Sequence, residues 1–122
     1  MTDQRKVIAI IDDEQTMLKA IERLLTARGF STRCFASAEE FLDSRTAQDA
    51  DCLVLDIYLG GMSGIELRRR LKAVRSKLPV IFITAIDDQS VHTEAIEVGC
   101  VACLHKPFQS SLLIDAIGKA TS

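Results

Sequence analysis

The sequence predicts an α/β domain in which five parallel strands form one sheet covered by helices on both faces. Three observations lead there. Short apolar runs alternate from end to end with segments whose apolar residues recur every three or four positions. Such strand–helix alternation favours a parallel sheet with both faces covered. The runs are apolar throughout, LVL at 53–55 among them, as strands buried on both faces are. No internal repeat and no linker-like stretch interrupts the pattern, and 122 residues is the length of one domain, so we read 1–122 as a single unit.

Val7 to Ile11 is the first strand. Residues 14–28 form the first helix: Met17, Leu18, Ile21, Leu24 and Leu25 share one face, and Gly29 closes it. Residues 31–35 make a weaker second strand. Ser37 with Glu40 has the spacing of a capping box and opens a second helix to about Ser44. Cys52 to Leu55 is the third strand. Ser63 with Glu66 repeats the capping spacing, and Leu67, Leu71 and Val74 continue a third helix. Pro79 introduces the fourth strand, Val80 to Ile83. Asp88 can cap a fourth helix running to Val98, which Gly99 ends. Val101 to His105 is the fifth strand, and Leu112, Leu113, Ala116 and Ile117 face inward from a last helix.

Composition narrows the function classes. Apolar residues make up 48% and charged residues 26%, an ordinary globular balance, and the net charge is -2. That balance argues against binding nucleic acid or a membrane surface by bulk charge. The apolar run at Val7–Ile11 is too short for a signal peptide or a membrane span, so the expected compartment is the cytoplasm. Cys34, Cys52, Cys100 and Cys103 lie in or beside apolar segments and read as small core residues under reducing conditions.

In open α/β sheets, ligands bind beyond the carboxyl ends of the strands. The residues there are Asp12 and Asp13 after strand one, Asp56 after strand three, Thr84 after strand four and Lys106 after strand five. Asp56 ends an apolar run, where desolvation penalises a carboxylate. It could be a loop acid, a metal ligand or a nucleophile. Three converging carboxylates would repel one another, and some would be driven towards the protonated form. Lys106 and a divalent cation would relieve that. Magnesium fits, because it takes a few carboxylates together with waters and phosphate oxygens.

IDDE at 11–14, LVLDIYLGGMSG at 53–64, FITA at 82–85 and HKPF at 105–108 resemble the receiver domain of two-component response regulators. The resemblance covers essentially the whole chain, in order and spacing. It implies a flavodoxin-like (βα)5 doubly wound fold with strand order 2-1-3-4-5. It implies that Asp56 is the phosphoacceptor and that Asp12 and Asp13 hold magnesium together with Asp56 and the backbone carbonyl of Tyr58. Thr84 would be the switching hydroxyl, Lys106 the phosphate-binding lysine, and Lys106–Pro107 a cis peptide. It implies a sensor histidine kinase or phosphotransfer protein as phosphoryl donor. The output face would be helix four, strand five and helix five, with homodimerisation on phosphorylation and a downstream protein or fused DNA-binding domain as reader. IDDEQTMLKAIERLLTARGF and ASAEEFL resemble receivers that precede helix-turn-helix outputs. No membrane and no direct nucleic-acid contact by this domain are expected. The chemistry is coherent on its own terms: a carboxylate nucleophile becomes an acyl phosphate while cations neutralise the transferring group.

Several positions depart from the commoner pattern of that family. Cys103 stands three residues before Lys106, where an aromatic is usual, so the aromatic swing that follows Thr84 is weakened or rerouted. Gly60 stands where proline is usual, which predicts a more mobile loop after Asp56. In that family the positions two residues after the phosphoacceptor and the switching hydroxyl flank the path of the hydrolytic water, and here they are Tyr58 and Ile86. Both are bulky, which predicts a slowly decaying phosphoaspartate.

Other motifs have plainer readings. CVACLH at 100–105 has a metal- or redox-like spacing but no second ligand cluster, and reads as a buried strand. Arg68, Arg69 and Arg70 with Lys72, Arg75 and Lys77 read as the solvated face of helix three. Met17, Leu18 and Ile21 are core, or part of a kinase-docking edge. Two other functions compete with the switch: a phosphate-independent binding module of the same fold, and a flavin carrier. The latter would need a Ser/Thr-rich phosphate loop where IDDE stands.

Overall fold

The computed structural model describes residues 5–45 and 49–122. Five strands alternate with five helices: β1 Val7–Ile11, α1 Gln15–Ala27, β2 Ser31–Phe35, α2 Ala38–Asp43, β3 Cys52–Asp56, α3 Gly64–Ala73, β4 Val80–Thr84, α4 Gln89–Val98, β5 Ala102–His105 and α5 Ser110–Thr121. All strand pairs are parallel, and the sheet order is β2-β1-β3-β4-β5. This is the expected (βα)5 doubly wound arrangement.

Side chains of the three central strands alternate between two cores, because successive residues of a strand point to opposite faces. Ala9, Ile11, Leu53, Leu55, Val80 and Phe82 meet α2, α3 and α4 through Phe41, Leu67, Leu71, Ala95 and Val98. Ile8, Ile10, Cys52, Val54, Ile81 and Ile83 meet α1 and α5 through Leu18, Ile21, Leu25, Leu113 and Ile117. Burying each such aliphatic side chain contributes about 1.5–3 kcal/mol before entropy is counted. The central strands are therefore fixed from both sides. The edge strands β2 and β5 are only half-buried along most of their length.

Capping follows the sequence reading. Ser37 accepts a hydrogen bond from the Glu40 amide and Ser63 from the Glu66 amide, while Asp88 accepts from the amides of Ser90 and Val91. Gly29 and Gly99 follow α1 and α4 at positive φ, +90° and +97°.

Some expectations change at element ends. β3 and β4 each run one residue further than expected, so Asp56 and Thr84 are the last residues of their strands. The sheet itself holds them. Val74, expected to continue α3, caps its C-terminus instead and is 75% exposed, and Val101 lies outside β5. Leu112 is half-exposed, since only Leu113, Ala116 and Ile117 fall on the buried stripe of α5. Cys52 alone of the four free cysteines is fully buried, because Cys34 and Cys103 lie on edge strands and Cys100 precedes one. CVACLH is thus an edge, half-covered and ending in exposed His105.

Candidate functional site

The carboxyl edge of the sheet gathers the residues that the sequence pointed to. Asp12 follows β1 and is fully buried, Asp56 ends β3 and Lys106 follows β5. Lys106 reaches back across β4. Its Nζ donates to Asp12 Oδ2 at 2.9 Å and to Asp56 Oδ2 at 3.0 Å. The register carries this geometry: Asp56 pairs with Ile83, Thr84 with His105, and the Lys106 amide donates to the Thr84 carbonyl at 2.7 Å. The Lys106–Pro107 peptide is cis.

Each acid also receives a backbone amide. Glu14 N donates to Asp12 Oδ1 at 2.9 Å, Tyr58 N to Asp56 Oδ1 at 3.1 Å and Gly60 N to Asp13 Oδ2 at 3.0 Å. Asp12, Asp13 and Asp56 each offer a carboxylate oxygen within 4.8 Å of the others. Among the described residues this is the one group of three or more such side chains placed to share a metal ion. All-oxygen donors of high negative charge suit a hard cation, so the residues fit magnesium.

Electrostatics agree with the geometry. Burial raises the Asp56 carboxyl from 3.8 to about 6, with the Asp12 charge pushing the same way and Lys106 and the Tyr58 amide opposing. Burial works against the charge on Lys106, but its hydrogen bonds to Asp12 and Asp56 outweigh that and raise its pKa. One lysine thus serves two buried carboxylates, leaving an excess of negative charge at the edge.

Thr84 is buried below the β4–α4 loop. Its Oγ1 accepts from the Ile86 amide at 3.1 Å. A cavity of about 240 Å3 opens beside it, lined by Val91, Cys103 and His105 among others. Tyr58 and Ile86 stand exposed at the rim, at 40% and 48%.

The β3–α3 loop is better tied than the sequence suggested. Besides the Gly60 amide on Asp13, Met62 N donates to Glu39 Oε2 of α2 at 3.0 Å. Gly64 lies so close under the site that a Cβ there would come within 2.3 Å of the Asp56 carbonyl oxygen. Sequence reasoning missed Glu39, and nothing in its local pattern marks it. Gly64 was visible only as one glycine of a run.

The arginine run is partly absorbed within the chain. Arg68 Nε donates to the Gly99 carbonyl at 2.8 Å, Arg69 pairs with Glu94 at 3.4 Å and Arg70 with Glu66 at 3.8 Å. Cys100 and Cys103 belong to no group of three metal-binding side chains among the described residues. There too, no helix is long and apolar enough to cross a membrane.

Comparison with known proteins identifies the family and the fold. Residues 8–118 match the family described as "Response regulator receiver domain". The chain is 37% identical over 120 residues to the response regulator protein TodT of Pseudomonas putida, covering 98% of this chain and 53% of that protein. It is 36% identical over 121 residues to the transcriptional regulatory protein FixJ of Rhizobium meliloti, covering 99% of this chain and 58% of that one. The chain therefore spans little more than half the length of these curated relatives. Among solved structures, FixJ-N superposes with a TM-score of 0.86 at 36% identity, covering 97% of this chain and 94% of that one. The BeF3-activated DrrB receiver domain superposes with a TM-score of 0.86 at 27% identity, covering 96% and 97%.

Proposed function

The chain belongs to the response regulator receiver domain family, and from that premise we propose that it is a switch thrown by phosphorylation of Asp56. The observation that carries this reading is the Lys106 ammonium held between Asp12 and Asp56, at 2.9 and 3.0 Å. It sets a cation beside the nucleophile, where charge gathers during phosphoryl transfer. The donor is a sensor histidine kinase or a phosphotransfer protein. An Asp56 carboxylate oxygen bonds to phosphorus as the P–N bond of the donor's phosphohistidine breaks, and the electron pair stays on the imidazole nitrogen.

Asp12, Asp13 and Asp56, with the Tyr58 carbonyl, would hold magnesium. When bound, the ion supplies positive charge that offsets the phosphoryl oxygens. Lys106 contributes the same from the protein side. Thr84 Oγ1, now accepting from Ile86 N, is the group that turns to donate to a phosphoryl oxygen and draws the β4–α4 loop inward. Because that loop leads into α4, the local event biases the α4–β5–α5 face. A second phosphorylated copy, a downstream protein or a fused DNA-binding output domain would read it. Cys103, lining the cavity beside Thr84, makes this rearrangement without an aromatic partner. The compartment is the cytoplasm.

Intact mass after incubation with acetyl phosphate and magnesium tests the reading. Wild type should gain one phosphoryl group, about 80 Da. The gain should require magnesium and be absent in Asp56→Asn. If neither acetyl phosphate nor a panel of histidine kinases yields an adduct, the chain is a phosphate-independent binding module instead.

A further inference from the structure

Resting on the reading of Asp12, Asp13 and Asp56 as a magnesium site, we infer that the Gly60 backbone N–H positions Asp13 for the metal, and that Glu39 holds the loop that presents it.

Asp12 and Asp56 are each pinned twice, by Lys106 on one oxygen and by a backbone amide on the other. Asp13 is different. It is exposed, and Lys106 does not reach it. Among the described residues, the Gly60 amide is the one donor to its carboxylate. That bond falls on Oδ2 and fixes how the carboxylate is turned. A freely rotating carboxylate would lose side-chain entropy on binding a metal, and a fixed donor removes part of that loss before the metal arrives.

The donor is itself held in place. Glu39 of α2 accepts from Met62 N, two residues beyond Gly60. Gly61 lies between them at φ +99°, and a Cβ there would meet Glu39 Oε2 at 2.9 Å. The positive φ calls for glycine at 61, and a side chain there would displace the Glu39 carboxylate. The contact reaches from α2 through the loop to Asp13, joining three separate segments of the sequence. None of this depends on a side chain at position 60. It requires only that the residue there own an N–H, which every residue but proline does.

That requirement makes the inference sharp. Gly60→Ala keeps the amide, and its Cβ would find Asp13 Oδ2 at an ordinary 3.8 Å. Gly60→Pro removes the donor. Loss of a hydrogen bond that orients a metal ligand typically weakens binding by about 10- to 100-fold. Magnesium titrated calorimetrically into the full chain should bind Gly60→Ala within about twofold of wild type and Gly60→Pro about tenfold more weakly. Glu39→Ala should lose affinity by a smaller factor in the same direction. Equal magnesium affinity in the proline and alanine variants would overturn the inference. If circular dichroism shows that Gly60→Pro does not fold, amide exchange in the wild type decides. The Gly60 proton should be protected, and more so at saturating magnesium; a freely exchanging proton overturns the inference. A wild type that binds no magnesium would instead strike at the metal-site reading itself, whatever the variants do.

Discussion

Asp12, Asp56 and Lys106 sit at the ends of sheet strands and are no more than 9% exposed, whereas Asp13, Tyr58, Gly60 and Ile86 ride on loops in solvent. The two groups are neighbours, yet they are held by different physics. The floor is fixed by strand register and by a lysine shared between two carboxylates. The rim is fixed by single hydrogen bonds from loop amides. A floor of this kind places charge where water would not, at a cost in folding free energy. A rim of this kind can change residue by residue without that cost. The difference suggests that the floor decides whether the chemistry occurs and the rim decides how long its product lasts.

The largest effect should come from disturbing the floor's packing. Gly64 begins α3 directly beneath the site, and a Cβ there would lie 2.3 Å from the Asp56 carbonyl oxygen and 3.0 Å from Ile57 Cα. Both are backbone atoms of a buried strand and its continuation, so neither can step aside cheaply. Gly64→Ala should destabilise the fold by about 3 kcal/mol, at the upper end of overpacking costs. Thermal melts should show a midpoint lower by roughly 10 °C. A midpoint within a degree or two of wild type would mean that the floor yields as easily as the rim.

Asp56→Asn tests the floor's electrostatic cost, with the sign set by its raised pKa. Well below pH 3.8, folded and unfolded chains both carry the protonated acid, and the group's contribution to stability is fully present. That contribution is lost as pH rises from 3.8 through about 6, where burial first, and the Asp12 charge after it, make ionisation in the folded state costly. With a chelator present, Asp56→Asn should therefore melt above wild type at pH 7.5, and the gain should shrink towards zero near pH 4. The interval from 3.8 to about 6 caps the gain at about 3 kcal/mol. The side-chain amide of the Asp56→Asn variant can still accept from Lys106 but carries no charge, and that weaker contact takes part of the gain back, so about 1 kcal/mol is expected. A variant less stable than wild type at pH 7.5 would show that the Lys106 contact outweighs burial.

The same division explains what was legible in the sequence. Strands and their alternation could be read because apolar runs report burial on both faces, and the site could be read because it lies at strand ends. Asp12, Asp56, Thr84 and Lys106 come together because register is a property of the whole sheet. Leu112 was misread as inward-facing because a position next to the buried stripe can carry an apolar residue outward without disturbing the period. Glu39 was invisible because its partner is a backbone amide more than twenty residues away, and an amide has no letter in a sequence. Gly60 pointed to a looser loop on composition alone. The tie to Asp13 depends on the N–H that glycine keeps and proline lacks.

The smallest expected effect belongs to the rim, and it tests the division most directly. Hydrolysis of a phosphoaspartate needs a water aligned behind phosphorus. Tyr58 and Ile86, two residues beyond Asp56 and Thr84, are large, exposed side chains, and Ile86 has no group that could orient a water. Replacing both with alanine should open that approach while leaving Asp12, Asp56 and Lys106 untouched. Decay of the adduct, followed by intact mass after removal of the phosphoryl donor, should accelerate about threefold or more. That corresponds to only ~0.7 kcal/mol of barrier. The initial rate of phosphorylation should change less than the decay rate, since Asp56 and Lys106 belong to the floor. Unchanged decay in the double variant would remove the rim from the control of lifetime. A matching rise in both rates would mean that the two regions act as one.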